Sequence, residues 1–313
     1  MTVDLTTSLA GLNLPNPVMT ASGCAGTGKE LTQFRDVAQL AAFVTRSLTL
    51  DPRAGCPGPR MVETPSGVLS AVGLQGPGIA GFLATELTWL AQRNTRVIVS
   101  IAGSTLGEYG ALARALGNSP GIAAVEVNLS CRSSESADRV FGGDPYLAAK
   151  VISVVRRDSP RGVPVLAKLT PDVHNVVDVA RAVADAGADG VVLIHSPLGM
   201  AIDPKTLRPA LGAGVGGLSG PAVHPLAVRT IWEVSRALPD LPIVGVGGVR
   251  TGLDALDLLV AGACAVQVGS VIFSDPSAPS RITSELHEEL SERNIPRVAD
   301  VIGRGHHLAG ERS

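Results

Sequence analysis

Ala124-Val125-Glu126-Val127-Asn128-Leu129-Ser130-Cys131 reads as a buried strand that ends, without a spacer, in an amide, a hydroxyl and a thiol. A polar loop, Arg132 to Phe141, follows it, and Gly142-Gly143-Asp144-Pro145 closes that loop ahead of a helical pattern. A thiol where a strand hands over to a loop is either a small core filler or a reactive group. Working outward, the same kind of short β-rich run recurs at Pro17–Gly23, Ala41–Thr49, Arg96–Gly103, Pro164–Thr170, Gly190–Ser196, Leu241–Val249 and Ala265–Ile272. Several are apolar on both faces, as parallel strands covered by helices must be. Between them, Tyr146–Asp158, Val173–Ala186, Pro225–Leu238 and Gly252–Ala261 carry apolar residues at a spacing near 3.6. Ala-Gly-Ala at 186–188 and 261–263 supplies glycine stops at helix ends. Eight strands alternating with helices predict one (β/α)₈ barrel over residues 1–313. A doubly wound sheet is the competitor, but no G-x-G-x-x-G follows the first strand.

Two connections exceed simple turns: Leu50 to Gly78, rich in Pro and Gly, and Pro197 to Pro221, with Gly212-Ala213-Gly214-Val215-Gly216-Gly217. Both leave C-terminal strand ends, the face on which barrel sites assemble, and long connections read as functional.

Bulk properties exclude several classes. With 45% hydrophobic and 17% charged residues the chain reads as a soluble, compact protein. A formal charge of −2 gives no footprint for nucleic acid or an anionic membrane. The N-terminus lacks a basic region, and the most apolar run, Leu256 to Phe273, is too short and polar to span a bilayer. Cys24, Cys56, Cys131 and Cys264 form no C-x-x-C pair, so neither a zinc site nor an iron–sulfur cluster is expected. Reduced thiols in a cytoplasmic protein are the simplest reading.

Val246-Gly247-Gly248-Val249 and Gln267-Val268-Gly269-Ser270 end the last two strands. Loops there commonly hold a phosphate on backbone N–H groups that only glycine lets approach. Leu218-Ser219-Gly220 adds donors ahead of a helix beginning near Pro221. Lys168, one of only four lysines against 22 arginines, lies inside the run Leu166-Ala167-Lys168-Leu169-Thr170. A charge in a strand is costly unless used. It reads as a snorkelling residue, a Schiff-base nucleophile or a cation beside an electron-rich ring.

These residues in this order resemble class 1B dihydroorotate dehydrogenase. The likeness is carried by Thr20-Ala21-Ser22-Gly23, Gly73-Leu74-Gln75, Glu126 to Cys131, Lys168-Leu169-Thr170-Pro171, Leu198 to Asp203, Gly216 to Pro221 and Val246 to Val249, and runs to Val301-Ile302-Gly303. The resemblance implies an FMN-containing barrel oxidising a ring CH–CH bond, with Cys131 as the base. It further implies that Ala21, Ser22 and Gly23 lie along the flavin and that Asn128 and Lys168 bond its ring. Ser219, Gly220, Gly247, Gly248, Gly269 and Ser270 would then hold ribityl and phosphate. It also implies a homodimer and a partner subunit carrying FAD and an iron–sulfur cluster. Base and flavin suit each other, because dehydrogenation needs a hydride acceptor and a proton acceptor.

Departures from the family cluster on the substrate side. Its Cys-Pro-Asn is Cys131-Arg132-Ser133, its asparagine before Gly73-Leu74 is Ser70, and its asparagine before the Pro-Gly pair is Gly76. Its Asn-Thr pair is His195-Ser196, and its second-strand lysine is Arg46. Amides read a dioxopyrimidine with donor and acceptor together, and each lost partner costs about 1–3 kcal/mol. The expectation is therefore a flavin oxidoreductase acting on a small carbonyl-containing ring, anionic because Arg46 keeps a cation, and not on orotate. A true dihydroorotate dehydrogenase with a rearranged pocket is the alternative. An aldolase or isomerase using Lys168 ranks below both, as does a non-catalytic flavin-binding subunit.

Overall fold

The computed structural model describes residues 2–34, 37–117, 119–134 and 139–306. Eight parallel strands form its central sheet: β1 (Val18–Thr20), β2 (Phe43–Val44), β3 (Val97–Ile101), β4 (Ile122–Asn128), β5 (Val165–Leu169), β6 (Gly190–Leu193), β7 (Ile243–Val246) and β8 (Ala265–Val268). Neighbours run β1-β8-β7-β6-β5-β4-β3-β2. The gap between β1 and β2 is bridged by Ala41 N–H to the Val18 carbonyl at 3.0 Å and Val44 N–H to Thr20 Oγ1 at 2.9 Å. The sheet is thus nearly closed into an α/β TIM barrel.

Helices α1 (78–91), α2 (Leu106–Ala115), α3 (Pro145–Asp158), α4 (Val176–Asp185), α5 (His224–Ala237), α6 (Gly252–Val260) and α7 (Ala278–Glu292) follow the second to eighth strands. After β1 the described chain carries only 3₁₀ turns, Glu30–Gln33 and Val37–Gln39, so the first unit departs from the expected strand–helix alternation. Local chemistry starts the helices. Asp144 accepts from the Tyr146 and Leu147 N–H groups with Pro145 in the first turn, and Thr251 with Asp254 forms a capping box. On α4, Val176, Val179, Ala180 and Val183 fall on one buried stripe at helical spacing.

Alternation along the strands sorts the core into two. Val97, Val99, Val125, Val127, Val165, Ala167, Val191 and Leu193 pack outward beneath the helices. Ile98, Ala124, Leu166, Val192, Val244 and Ala265 fill the lower barrel interior, joined by Leu9 and Leu14. These last two come from an N-terminal hairpin, Thr7–Leu9 with Leu12–Leu14. Two residues further along three of these strands, Ala124 gives way to Glu126, Leu166 to Lys168 and Ala265 to Gln267, all buried. The interior is therefore apolar below and polar above.

Both long connections are built rather than structureless. Met61–Thr64 and Gly67–Ser70 from the first pair with Gly216–Ser219 and Leu198–Gly199 from the second in one four-stranded sheet. Strands are also shorter than predicted: the run Ala41–Thr49 contributes only Phe43–Val44, which leaves Arg46 beyond the strand end. No helix among the described residues is long and apolar enough to cross a membrane.

Candidate active site

Two connected cavities of about 720 and 550 Å³ open at the C-terminal ends of the strands. They share Ser22, Cys24, Met61, Val68, Lys168, His195, Ser196, Ser219 and Phe273. The larger is lined by the glycine-rich strand ends: Ala21 and Ser22 after β1, Ser219 and Gly220 before α5, Gly247 and Gly248 after β7, and Gly269 and Ser270 after β8. Gly248 has φ +71°, and a Cβ there would lie 2.6 Å from the His224 Cβ. At Gly247 (φ +140°) a Cβ would meet the Ala227 Cβ at 2.8 Å. Only glycine serves at both positions, which leaves bare backbone on that wall.

The smaller cavity is walled by Gly23, Arg46, Ser70, Gly73, Leu74, Asn128, Ser130, Thr170 and Asp172 besides the shared residues. The Asn128 amide is oriented on both sides: its Oδ1 accepts from the Ser130 N–H at 2.9 Å and its Nδ2 donates to Ser47 Oγ at 3.0 Å. Arg46 Nη2 stands 3.6 Å from Glu86 Oε1, and its Nε is buried without a hydrogen-bond partner. His195 continues the line of β6, its N–H donating to the Leu169 carbonyl at 2.8 Å. Burial first, and then the Lys168 ammonium, hold His195 down at about 4, so its imidazole is neutral at physiological pH.

Two predicted residues do not reach the cavity wall. Ser133 is buried outside the lining, its hydroxyl unpartnered. Cys131 packs its half-buried thiol against the hydrophobic core beside Tyr109, while its neighbour Ser130 lines the cavity. Burial pushes the thiol up to about 11, against the lowering effect of the Tyr109 hydroxyl and the Arg53 guanidinium. Tyr109 donates its hydroxyl to the Asn128 carbonyl at 2.6 Å. Cys24, on the wall of both cavities, is also held at about 11, by burial outweighing Lys168.

At the cavity floor, the Lys168 Nζ donates to Gln267 Oε1 at 3.3 Å and lies 3.6 Å from Glu126 Oε1. Gln267 Nε2 donates to Glu126 Oε2 at 2.7 Å. Of these three, Lys168 alone is expected from the sequence, although the same signal, a polar residue inside an apolar strand, marks Glu126 and Gln267. An electron-rich heterocyclic phosphate ester such as FMN fits these donors. A cation stands at the floor, glycine backbone and hydroxyls at one end, and the larger volume lies within the range of ligand pockets.

The sequence profile of the dihydroorotate dehydrogenase family matches residues 4–290. A protein of Pelobacter propionicus named dihydroorotate dehydrogenase B (NAD(+)), catalytic subunit, is 47% identical over 303 residues, 97% of this chain and 99% of that one. Proteins of the same name from a Geobacter species and from Desulforudis audaxviator are 45% and 44% identical over 300 and 310 residues. They are covered over 97% and 100% of their own lengths, and cover 96% and 99% of this chain. The chain therefore belongs to the dihydroorotate dehydrogenase family, whose members are oxidoreductases acting on CH–CH bonds and are in general FMN-dependent. That membership overturns the Schiff-base aldolase reading of Lys168, whose nitrogen is instead engaged by Glu126 and Gln267.

Proposed function

We propose that this chain oxidises dihydroorotate to orotate with FMN, as the catalytic subunit of a two-subunit enzyme. The observation that carries the reading is near-full-length identity of 44–47% to relatives bearing that name. It is preferred to the expectation that orotate is not the substrate. Hydroxyls and a neutral imidazole supply donors and acceptors as amides do, and Ser70, Ser196 and His195 stand on the wall of the smaller cavity.

In this reading the larger cavity takes FMN, held by Ala21, Ser22, Ser219, Gly220, Gly247, Gly248, Gly269 and Ser270, with Lys168 and Asn128 on the ring side and Gly23 beside them. When bound, FMN accepts the hydride. The protein does the rest. Arg46 binds the substrate carboxylate as a fork. Asn128, Ser70, His195 and Ser196 orient the ring amides, with Gly73 and Leu74 closing the wall. Cys131 Sγ takes the proton from the ring carbon next to a carbonyl, turning from Tyr109 toward the space beside Ser130. Ser133, outside the lining, supports that loop. A homodimer, a cytoplasmic location and an FAD and iron–sulfur partner that passes electrons to NAD belong to the same reading.

Anaerobic mixing of the FMN-loaded chain with dihydroorotate tests it: the visible flavin absorbance bleaches within seconds, and NAD is not reduced by this chain alone. Bleaching by other dihydropyrimidines or enones but not by dihydroorotate would overturn the substrate.

A further inference from the structure

Glu126 has no part in the reaction just described, yet it occupies the barrel interior with no exposed surface. Such positions are ordinarily filled by branched apolar side chains, and a buried carboxylate is costly unless it is paired. Its pairing is lopsided. Oε2 is satisfied by the Gln267 amide at 2.7 Å, whereas Oε1 accepts no hydrogen bond and stands 3.6 Å from Lys168 Nζ. Among the described residues, no other carboxylate pairs with Lys168. The same Gln267 amide accepts from Nζ at 3.3 Å, so one side chain spaces the carboxylate from the ammonium. Three strands, β4, β5 and β8, each contribute one member. The ammonium is thereby kept on the wall of both cavities rather than drawn down onto the acid.

We propose that Glu126, spaced by Gln267, is a positioning residue that attenuates and directs the positive charge which Lys168 presents to the flavin. The proposal rests on the FMN reading. A carboxylate a few ångströms from a cation in a low-dielectric interior offsets much of its field. Removing that carboxylate while keeping the ammonium stabilises any negative charge acquired by the bound ring. Losing the spacer while keeping both charges does the opposite, because the ammonium closes on the acid.

The test uses full-length wild type, Glu126→Gln and Gln267→Met, each loaded with FMN. Sulfite, which adds to flavins to give an anionic adduct, probes the local field, and the flavin midpoint potential is measured alongside. In Glu126→Gln the sulfite dissociation constant falls at least tenfold, and the potential rises by about 30 mV, the two-electron equivalent of a tenfold change. In Gln267→Met, sulfite binding weakens threefold or more. Values within twofold of wild type in both variants, or weaker sulfite binding in Glu126→Gln, would make the triad a mere structural ion pair and overturn the proposal. If Glu126→Gln does not fold, the Gln267→Met result decides alone. Failure of the wild type to hold stoichiometric FMN would instead overturn the flavin reading, and this proposal with it.

Discussion

Replacing His195 by Asn should remove a specific acid-side loss of stability. In the folded chain, burial and then the nearby Lys168 cation hold the imidazole at about 4, against 6.5 when it is free. The sign follows from proton counting. Below 6.5 the unfolded chain takes up a proton that the folded chain refuses until about 4, so acid favours unfolding across that interval. The neutral ring's contribution is complete above 6.5 and is lost as pH falls through 4. At about 1.4 kcal/mol per pH interval of one, the loss is on the order of 3 kcal/mol. Guanidinium unfolding of the flavin-free protein at several pH values from 4 to 7.5 measures it, wild type against His195→Asn. Surface carboxylates such as Asp158 and Asp275, held low by Arg157 and by Ser277 and Arg281, destabilise both proteins equally in acid. The difference between the two curves isolates the histidine. Wild type should lose about 3 kcal/mol more than the variant between pH 6.5 and 4; parallel curves would refute the placement of a neutral imidazole beside a buried ammonium.

Cys131→Ser should slow flavin reduction by dihydroorotate about 10²–10⁴-fold, the worth of a general base, and the wild-type rate should climb with pH toward the thiol's value of about 11; stopped-flow bleaching reads both. Lys168→Met leaves the Glu126 carboxylate buried without its cation and should cost about 3–5 kcal/mol. The double variant with Glu126→Leu should recover most of that loss in denaturant melts, and a double variant no more stable than the single would contradict the pairing. Gly248→Ala forces a left-handed residue against the His224 Cβ at 2.6 Å and should destabilise by about 2–4 kcal/mol, with FMN released on gel filtration.

Much of the fold was legible because a parallel strand covered on both faces writes itself as an uninterrupted apolar run. Each of the eight runs overlaps a barrel strand. Their lengths were not legible, since the ladder in the run Ala41–Thr49 ends at Val44 although β-branched and apolar residues recur at Thr45, Leu48 and Thr49. The roof over the site escaped notice for a different reason. Its strands are two to four residues long, and the two connections meet only through a pairing across about 150 positions, as Ser219 meets Val68, so local periodicity does not show the sheet. The glycine wall and Lys168 were visible through backbone and charge rules that act on single residues. Which way the Cys131 thiol points was not, because that depends on Tyr109 and Phe141 packing from elsewhere in the chain. The proposal of orotate as the substrate turns on a similar point. Counting lost asparagines treats side-chain identity as the recognition unit, whereas Ser70, Ser196 and a neutral His195 preserve donor and acceptor capacity on the wall.

The pairing of Val18 with Val266 makes a seam that joins the first barrel strand made to the last. A growing polypeptide on the ribosome cannot close that seam until the eighth strand has emerged. Ala21 and Ser22 stand on one side of the seam and Gly269 and Ser270 on the other, so a molecule gripping both acts as a buckle. Its tightness should be felt as heat resistance along the whole circumference rather than at one spot, growing with the logarithm of its concentration.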